Sequence, residues 1–163
     1  MTTPFLRKGH DHGTCIQTAL DTAEFVCRDH QARLTATRRR VLELVWQGHS
    51  PVGAYEILEK LKDEGHNPAP PTVYRALEFL IQHGLVHRIS SLNAFVGCSR
   101  PGDNHDGTFL ICRTCGTAAE IPDNPAWQSI DHMAQASRFK LSHINVEAVG
   151  ECEDCQLAER GTA

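Results

Sequence analysis

The sequence predicts an α+β chain in two parts, an N-terminal winged helix-turn-helix and a small α/β domain carrying a four-cysteine zinc site. Three observations lead there. Pro70 to Gly84 reads as a surface helix opened by two prolines and a Thr and closed by a glycine, with Val73, Leu77, Leu80 and Ile81 on one side and Arg75, Glu78 and Gln82 on the other. Two β-prone runs, Leu85–Ile89 and Asn93–Cys98, follow it and are joined by a turn-like Ser90-Ser91-Leu92-Asn93 segment, which suggests a hairpin. Helix then hairpin is the layout in which the helix enters the DNA major groove and the hairpin forms a wing. The third observation is a pair of C-x-x-C knuckles, Cys112/Cys115 and Cys152/Cys155.

Taken in order, residues 1–14 are polar, and His10, His12 and Cys15 read as a frayed tail that could hold an adventitious metal. Ile16, Leu20, Ala23 and Cys27 fall at helical spacing between Cys15 and His30, so Cys27 is expected as a small buried hydrophobe. Thr35 is a plausible N-cap for a second helix whose apolar content is Val41, Leu42, Leu44, Val45 and Trp46. Gly53 to Glu64 forms a third, with Ala54, Ile57, Leu58 and Leu61 inward, and His66 to Pro71 delivers the chain to the recognition helix. After the hairpin, Ser99 to Gly107 reads as a linker. Thr108–Cys112, Asn124–Ser137 and Leu141–Val149 read as strand, helix and strand. The expected division is therefore 1–98 winged helix, 99–107 hinge, and 108–163 structural zinc domain.

Composition excludes some classes. No apolar run approaches the roughly 20 residues that span a bilayer, and no apolar segment follows Arg7 and Lys8, so a cytoplasmic location without membrane association is expected. The net charge of −4 belongs to the second half, because residues 1–90 carry 11 Lys+Arg against 10 Asp+Glu and residues 91–163 carry 5 against 10. A nearly neutral first half binds DNA if its cations cluster, and Arg38, Arg39, Arg40 and Arg75 are the candidates; a solvated helix face is the plain alternative for the first three.

Each knuckle lets two thiolates reach one ion, and two knuckles complete the four-sulfur shell of structural Zn²⁺. A redox dithiol or disulfides would each use one knuckle and leave the other idle. The 36 residues between Cys115 and Cys152 make the site a staple for a whole subdomain.

The order Leu34-Thr35…Arg38, Pro71-Thr72-Val73-Tyr74-Arg75-Ala76-Leu77, Leu85-Val86-His87, Cys112-x-x-Cys115 and Cys152-x-x-Cys155 resembles the ferric uptake regulator family over about residues 15–157. Within it the resemblance is to the zinc uptake regulators. It implies a second, regulatory zinc site of His87, Cys98, His105 and Glu120, which spacing alone does not select. Two imidazoles, a thiolate and a carboxylate suit Zn²⁺, whereas a site without thiolate suits Fe²⁺ or Mn²⁺ better. Two departures bear on this. The segment before the first knuckle holds only Asp103-Asn104-His105-Asp106 where iron and peroxide sensors carry a His-rich run, and Ala36 stands where a Pro is common.

What the resemblance implies is a zinc-activated repressor, not an enzyme, with two zinc ions per subunit. It would bind palindromic operator DNA as a homodimer, with residues 108–163 as its dimerisation domain and one or two dimers to each operator, and control zinc-uptake genes. Arg75 is the first choice for a base contact, with Tyr55, Thr72, Tyr74 and Arg38 beside it for base or phosphate. An iron-responsive repressor, a thiol oxidoreductase and a zinc-stapled interaction module are the rival readings.

Overall fold

The computed structural model describes residue 5 and residues 12–48, 50–102, 107–121 and 126–160. Its elements run α1 (His12–Asp29), α2 (Ala36–Trp46), β1 (Val52–Gly53), α3 (Ala54–Asp63), α4 (Pro70–Gln82), β2 (Val86–Ile89), β3 (Ala94–Gly97), β4 (Thr108–Cys112), β5 (Ala118–Glu120), α5 (Ala126–Ala136), β6 (Val146–Gly150) and α6 (Glu153–Arg160).

Thr35 caps α2, its side-chain oxygen accepting the Arg38 N–H at 3.4 Å. The apolar faces of α1 to α4 meet in one core that includes Leu20, Ala23, Cys27, Leu42, Val45, Ile57, Leu61, Val73 and Leu80. At the start of helix α4, Ala69 takes the N-cap position, and no side chain caps it. The reason is that Pro70 and Pro71 have no N–H, so two of the donors a cap would satisfy do not exist. At the other end Ile81 is 38% exposed and Ala76 is buried in its place, because Ile81 lies in the last turn at the edge of the apolar stripe. Gly84 then turns the chain at φ 64°, with its N–H on the Ile81 carbonyl.

The hairpin β2–β3 pairs antiparallel with Val86 opposite Gly97 and Ile89 opposite Ala94, and the two-residue β1 adds to its β3 edge. Sequence reading missed β1, since two residues carry no periodicity. At Gly97 the Trp46 ring occupies the space a Cβ would need, which brings the wing against α2.

In the second sheet β4 is central, antiparallel to β5 and parallel to β6. The last strand begins at Val146, later than the expected Leu141, and both β5 and α6 went unread. Asn124, the expected start of α5, lies outside the described residues. A second apolar cluster of Ile89, Phe109 and Ile111, with Val96 and Ala118 packed on it, takes members from the wing and from this sheet. The wing thus lies on the second sheet.

Candidate metal centres

Parallel pairing of β4 with β6 explains why the two knuckles meet. Cys112 ends β4 opposite Gly150, so both chains leave the sheet at one edge, and Arg113 N–H donates to the Gly150 carbonyl at 2.9 Å. Arg113 also reaches Glu151 Oε1 through Nε at 2.9 Å and Nη2 at 2.6 Å. Cys152 immediately precedes α6, whose first turn carries Cys155. The four sulfurs lie within 4.8 Å of one another.

Two distances separate the chemical alternatives. Cys112 Sγ lies 3.8 Å from Cys155 Sγ, and Cys115 Sγ lies 3.7 Å from Cys152 Sγ, each pair crossing between knuckles. A disulfide needs about 2.05 Å. The edge of a tetrahedron with Zn–S bonds of about 2.3 Å is about 3.8 Å. The sulfurs therefore fit a zinc ion and not a disulfide. Burial acts to raise the Cys112 thiol, but the N–H groups of Cys115, Cys152 and Thr114 outweigh it and bring it down to about 6. Cys155 is pushed up to about 12, chiefly through its bond to the Cys152 sulfur. Sulfurs in mutual contact must share protons, a conflict removed when one divalent cation takes all four as thiolates.

A second constellation joins the wing to the second sheet. His87 comes from β2, Cys98 directly follows β3, and Glu120 ends β5; their ligand atoms lie within 4.8 Å of one another. Cys98 is buried and its N–H donates to the Leu85 carbonyl at 3.0 Å, which closes the hairpin base. Glu120 Oε1 is 3.2 Å from His87 Nε2, and Glu120 Oε2 accepts Ser99 N–H at 2.9 Å and Ser99 O–H at 2.6 Å. The His87 ring stands edge-on to Phe109, centroids 5.4 Å apart. Burial opposes ionisation of Glu120, yet the bonds from His87 and Ser99 prevail and hold its carboxyl well below the usual carboxylate range. An imidazole, a sulfur and an ionised carboxylate converging in a largely buried place form a donor set for a borderline transition metal, Zn²⁺ among them. His105 and His10 lie outside the described residues, as does the His12 side chain. Cys15 lies on α1 and is half-buried. Ser99 is a contributor that sequence reading missed, its only signal being adjacency to Cys98.

In the winged helix, Thr72, Tyr74 and Arg75 are exposed on α4 and Tyr55 is 67% exposed on α3. The three successive arginines of α2 separate. Arg39 pairs with Glu24 and Glu43, and Arg40 with Glu43 and Glu64. Arg38 stacks 3.5 Å over the Phe79 ring and donates to the Arg33 carbonyl at 2.7 Å.

Comparison with known proteins agrees with these features. The ferric uptake regulator family model matches residues 29–149. The zinc uptake regulation protein of Escherichia coli (strain K12) is 34% identical over 149 residues, 90% of this chain and 86% of that protein. A zinc uptake regulator complexed with zinc and DNA superposes with a TM-score of 0.84 at 34% identity, covering 89% of this chain and 97% of the other. Holo XcZur superposes at 0.80 and apo XcZur at 0.50, both at 37% identity over 86% of this chain, and over 98% and 97% of theirs. With a matching family model and relatives aligned along most of its length, the chain belongs to the ferric uptake regulator family.

Proposed function

We propose that this protein is a zinc-responsive transcriptional repressor, which binds palindromic operator DNA as a dimer when its regulatory zinc site is filled and so controls zinc-uptake genes. The observation that carries this is the convergence of His87 and Cys98 from the wing with Glu120 from the second sheet within 4.8 Å. His105 is the proposed fourth ligand, and Cys112, Cys115, Cys152 and Cys155 hold a separate structural ion, making two per subunit. Bound at the regulatory site, zinc supplies a divalent cross-link between the two domains. His87 and Cys98 hold the wing end of that link and Glu120 the other, so together they set the angle at which α4 is presented. In support, the chain superposes better on holo XcZur, at a TM-score of 0.80, than on apo XcZur, at 0.50. By linkage, whatever factor the metal adds to DNA affinity, DNA adds to metal affinity.

Arg75 is proposed for a base contact, with Tyr55, Thr72, Tyr74 and Arg38 at base or phosphate. Met133, Phe139, Val149 and Leu157 are exposed apolar residues of the second domain, which supports dimerisation through residues 108–163. Among the described residues no helix is long and apolar enough to cross a membrane, and a cytoplasmic place of action is part of the proposal. The Cys98 sulfur favours zinc over iron as the signal.

The test is a gel-shift titration on palindromic promoter DNA with free Zn²⁺ buffered from low to high and the knuckle zinc left in place. Zinc-dependent binding by the wild type, abolished in His87→Ala and Cys98→Ser, is the expected result. Binding indifferent to zinc in all three would sink the proposal, and a zinc response untouched by Cys98→Ser would strike Cys98 from the ligands and with it the ground for preferring zinc to iron.

A further inference from the structure

One carboxylate ties the two domains together with no part in the proposed zinc site. Glu147 is the second residue of β6, and its side chain reaches the turn of the wing. Oε1 accepts the Ser90 N–H at 2.6 Å and Oε2 accepts the Ser91 N–H at 3.0 Å. Asn145 Nδ2 donates to Glu147 Oε1 at 2.8 Å and to Ser90 Oγ at 3.4 Å. The turn is itself well defined. Asn93 N–H closes it on the Ser90 carbonyl at 3.2 Å, Asn93 adopts φ 47°, and Arg88 Nη2 donates to Asn93 Oδ1 at 2.8 Å. Burial opposes ionisation of Glu147, but the bonds from Ser91, Ser90 and Asn145 hold its carboxyl below the usual range.

The wing is therefore gripped at both ends. At its base His87, Cys98 and Ser99 gather around Glu120, and at its tip Ser90 and Ser91 bind Glu147. Between the grips Ile89 and Val96 pack with Phe109 and Ile111. A single point of attachment leaves a hairpin free to pivot about it. Two separated points remove that rotation.

We propose that Glu147 is a positioning residue: by clamping the wing turn independently of metal, it sets how much of the metal-free protein is already in the DNA-competent arrangement, and so the zinc concentration at which the protein responds. This rests on the zinc-responsive reading above. The apparent affinity for a ligand is its intrinsic affinity reduced by the fraction of protein in the competent state. Releasing the clamp lowers that fraction, so more zinc is needed to reach the same occupancy. Saturating zinc restores it.

The test uses the full chain with its knuckle zinc in place and two variants. Glu147→Ala removes the acceptor. Ser91→Pro removes one donor at the second position of the turn, where proline is well tolerated. Amide exchange at Ser90 and Ser91 reads the clamp directly, and zinc-buffered anisotropy on operator DNA reads its consequence. Exchange at these amides is expected to quicken in Glu147→Ala. The half-maximal zinc concentration is expected to rise about fivefold in both variants, the size of a partly solvated charge-assisted hydrogen bond. Affinity at saturating zinc should stay within twofold of wild type, a split that general destabilisation would not produce. Combining the two substitutions should add less than the sum of their effects. Unchanged exchange, or an unchanged zinc midpoint in a wild type that does respond to zinc, overturns the proposal. A wild type that ignores zinc sinks the functional reading instead, while the exchange measurement still decides whether the clamp exists.

Discussion

Ser99 contributes both its N–H and its O–H to Glu120 Oε2, which leaves Oε1 turned toward His87. Such partners orient a ligand, and losing one commonly costs 10- to 100-fold in metal affinity. Ser99→Ala removes the hydroxyl and keeps the N–H, so we expect about a 10-fold loss at the regulatory site with four-cysteine zinc unaffected. Competition against a fluorescent chelator measures both, and equal affinity in variant and wild type would mean the carboxylate is positioned by its backbone alone. Ser99 was illegible in the sequence because an unremarkable serine acquires a role only when Glu120, 21 residues on, is folded against it. Cys27 was legible, because helical spacing alone assigns it to the buried face of α1.

At the scale of the element, α2 and α4 give different answers about their cations. Arg75 projects from α4 with exposed Thr72 and Tyr74 beside it. We expect Arg75→Ala to lose about 1–3 kcal/mol of discrimination between operator and scrambled DNA. Arg39→Ala should leave the salt dependence of binding unchanged, since Arg39 already pairs with Glu24 and Glu43. Anisotropy across a salt series checks both.

The same helix predicts a pH effect. Hydrogen bonding from Arg40 holds the Glu64 carboxyl below its usual value. A depressed folded value means the contribution is present above the ordinary carboxylate pKa of about 4.3 and is lost as pH falls through the folded value. Glu64→Gln should therefore be less resistant to urea than wild type near pH 7, and the gap should close on acidification. A gap independent of pH would refute that assignment. Helices α1 to α4 were readable because their apolar residues recur at helical spacing. Strands β1 and β5 were not, since two or three residues define no period and take their state from the neighbour they pair with.

For the whole molecule, the two domains differ in what keeps them folded. The winged helix has a large continuous core, whereas the apolar cluster of the second sheet is small and borrows Ile89 and Val96 from the wing. With so small an apolar cluster among its described residues, the second domain needs a staple. Arg113 and Glu151 bridge the same segments, but Arg113 is largely exposed and an exposed pair contributes little. Stripping the four-cysteine zinc under reducing conditions should thus abolish amide protection across residues 108–160, dissociate the proposed dimer and spare protection in α2 and α4. Protection retained throughout the second domain would show that its packing suffices. Sedimentation with hydrogen exchange makes the measurement.

By itself the sequence determined the α+β class, the order of helices, wing and second domain, the two knuckles and the exposed face of α4. All of these follow from local periodicity, from turn residues, or from spacing within one short motif. Tertiary structure alone decided three things. It brought His87, Cys98 and Glu120 within 4.8 Å, split Arg38 from Arg39 and Arg40, and set Glu147 on the wing turn. Each joins residues distant in the chain through strand pairing or domain packing, and no short window of sequence records which distant backbone a side chain will meet.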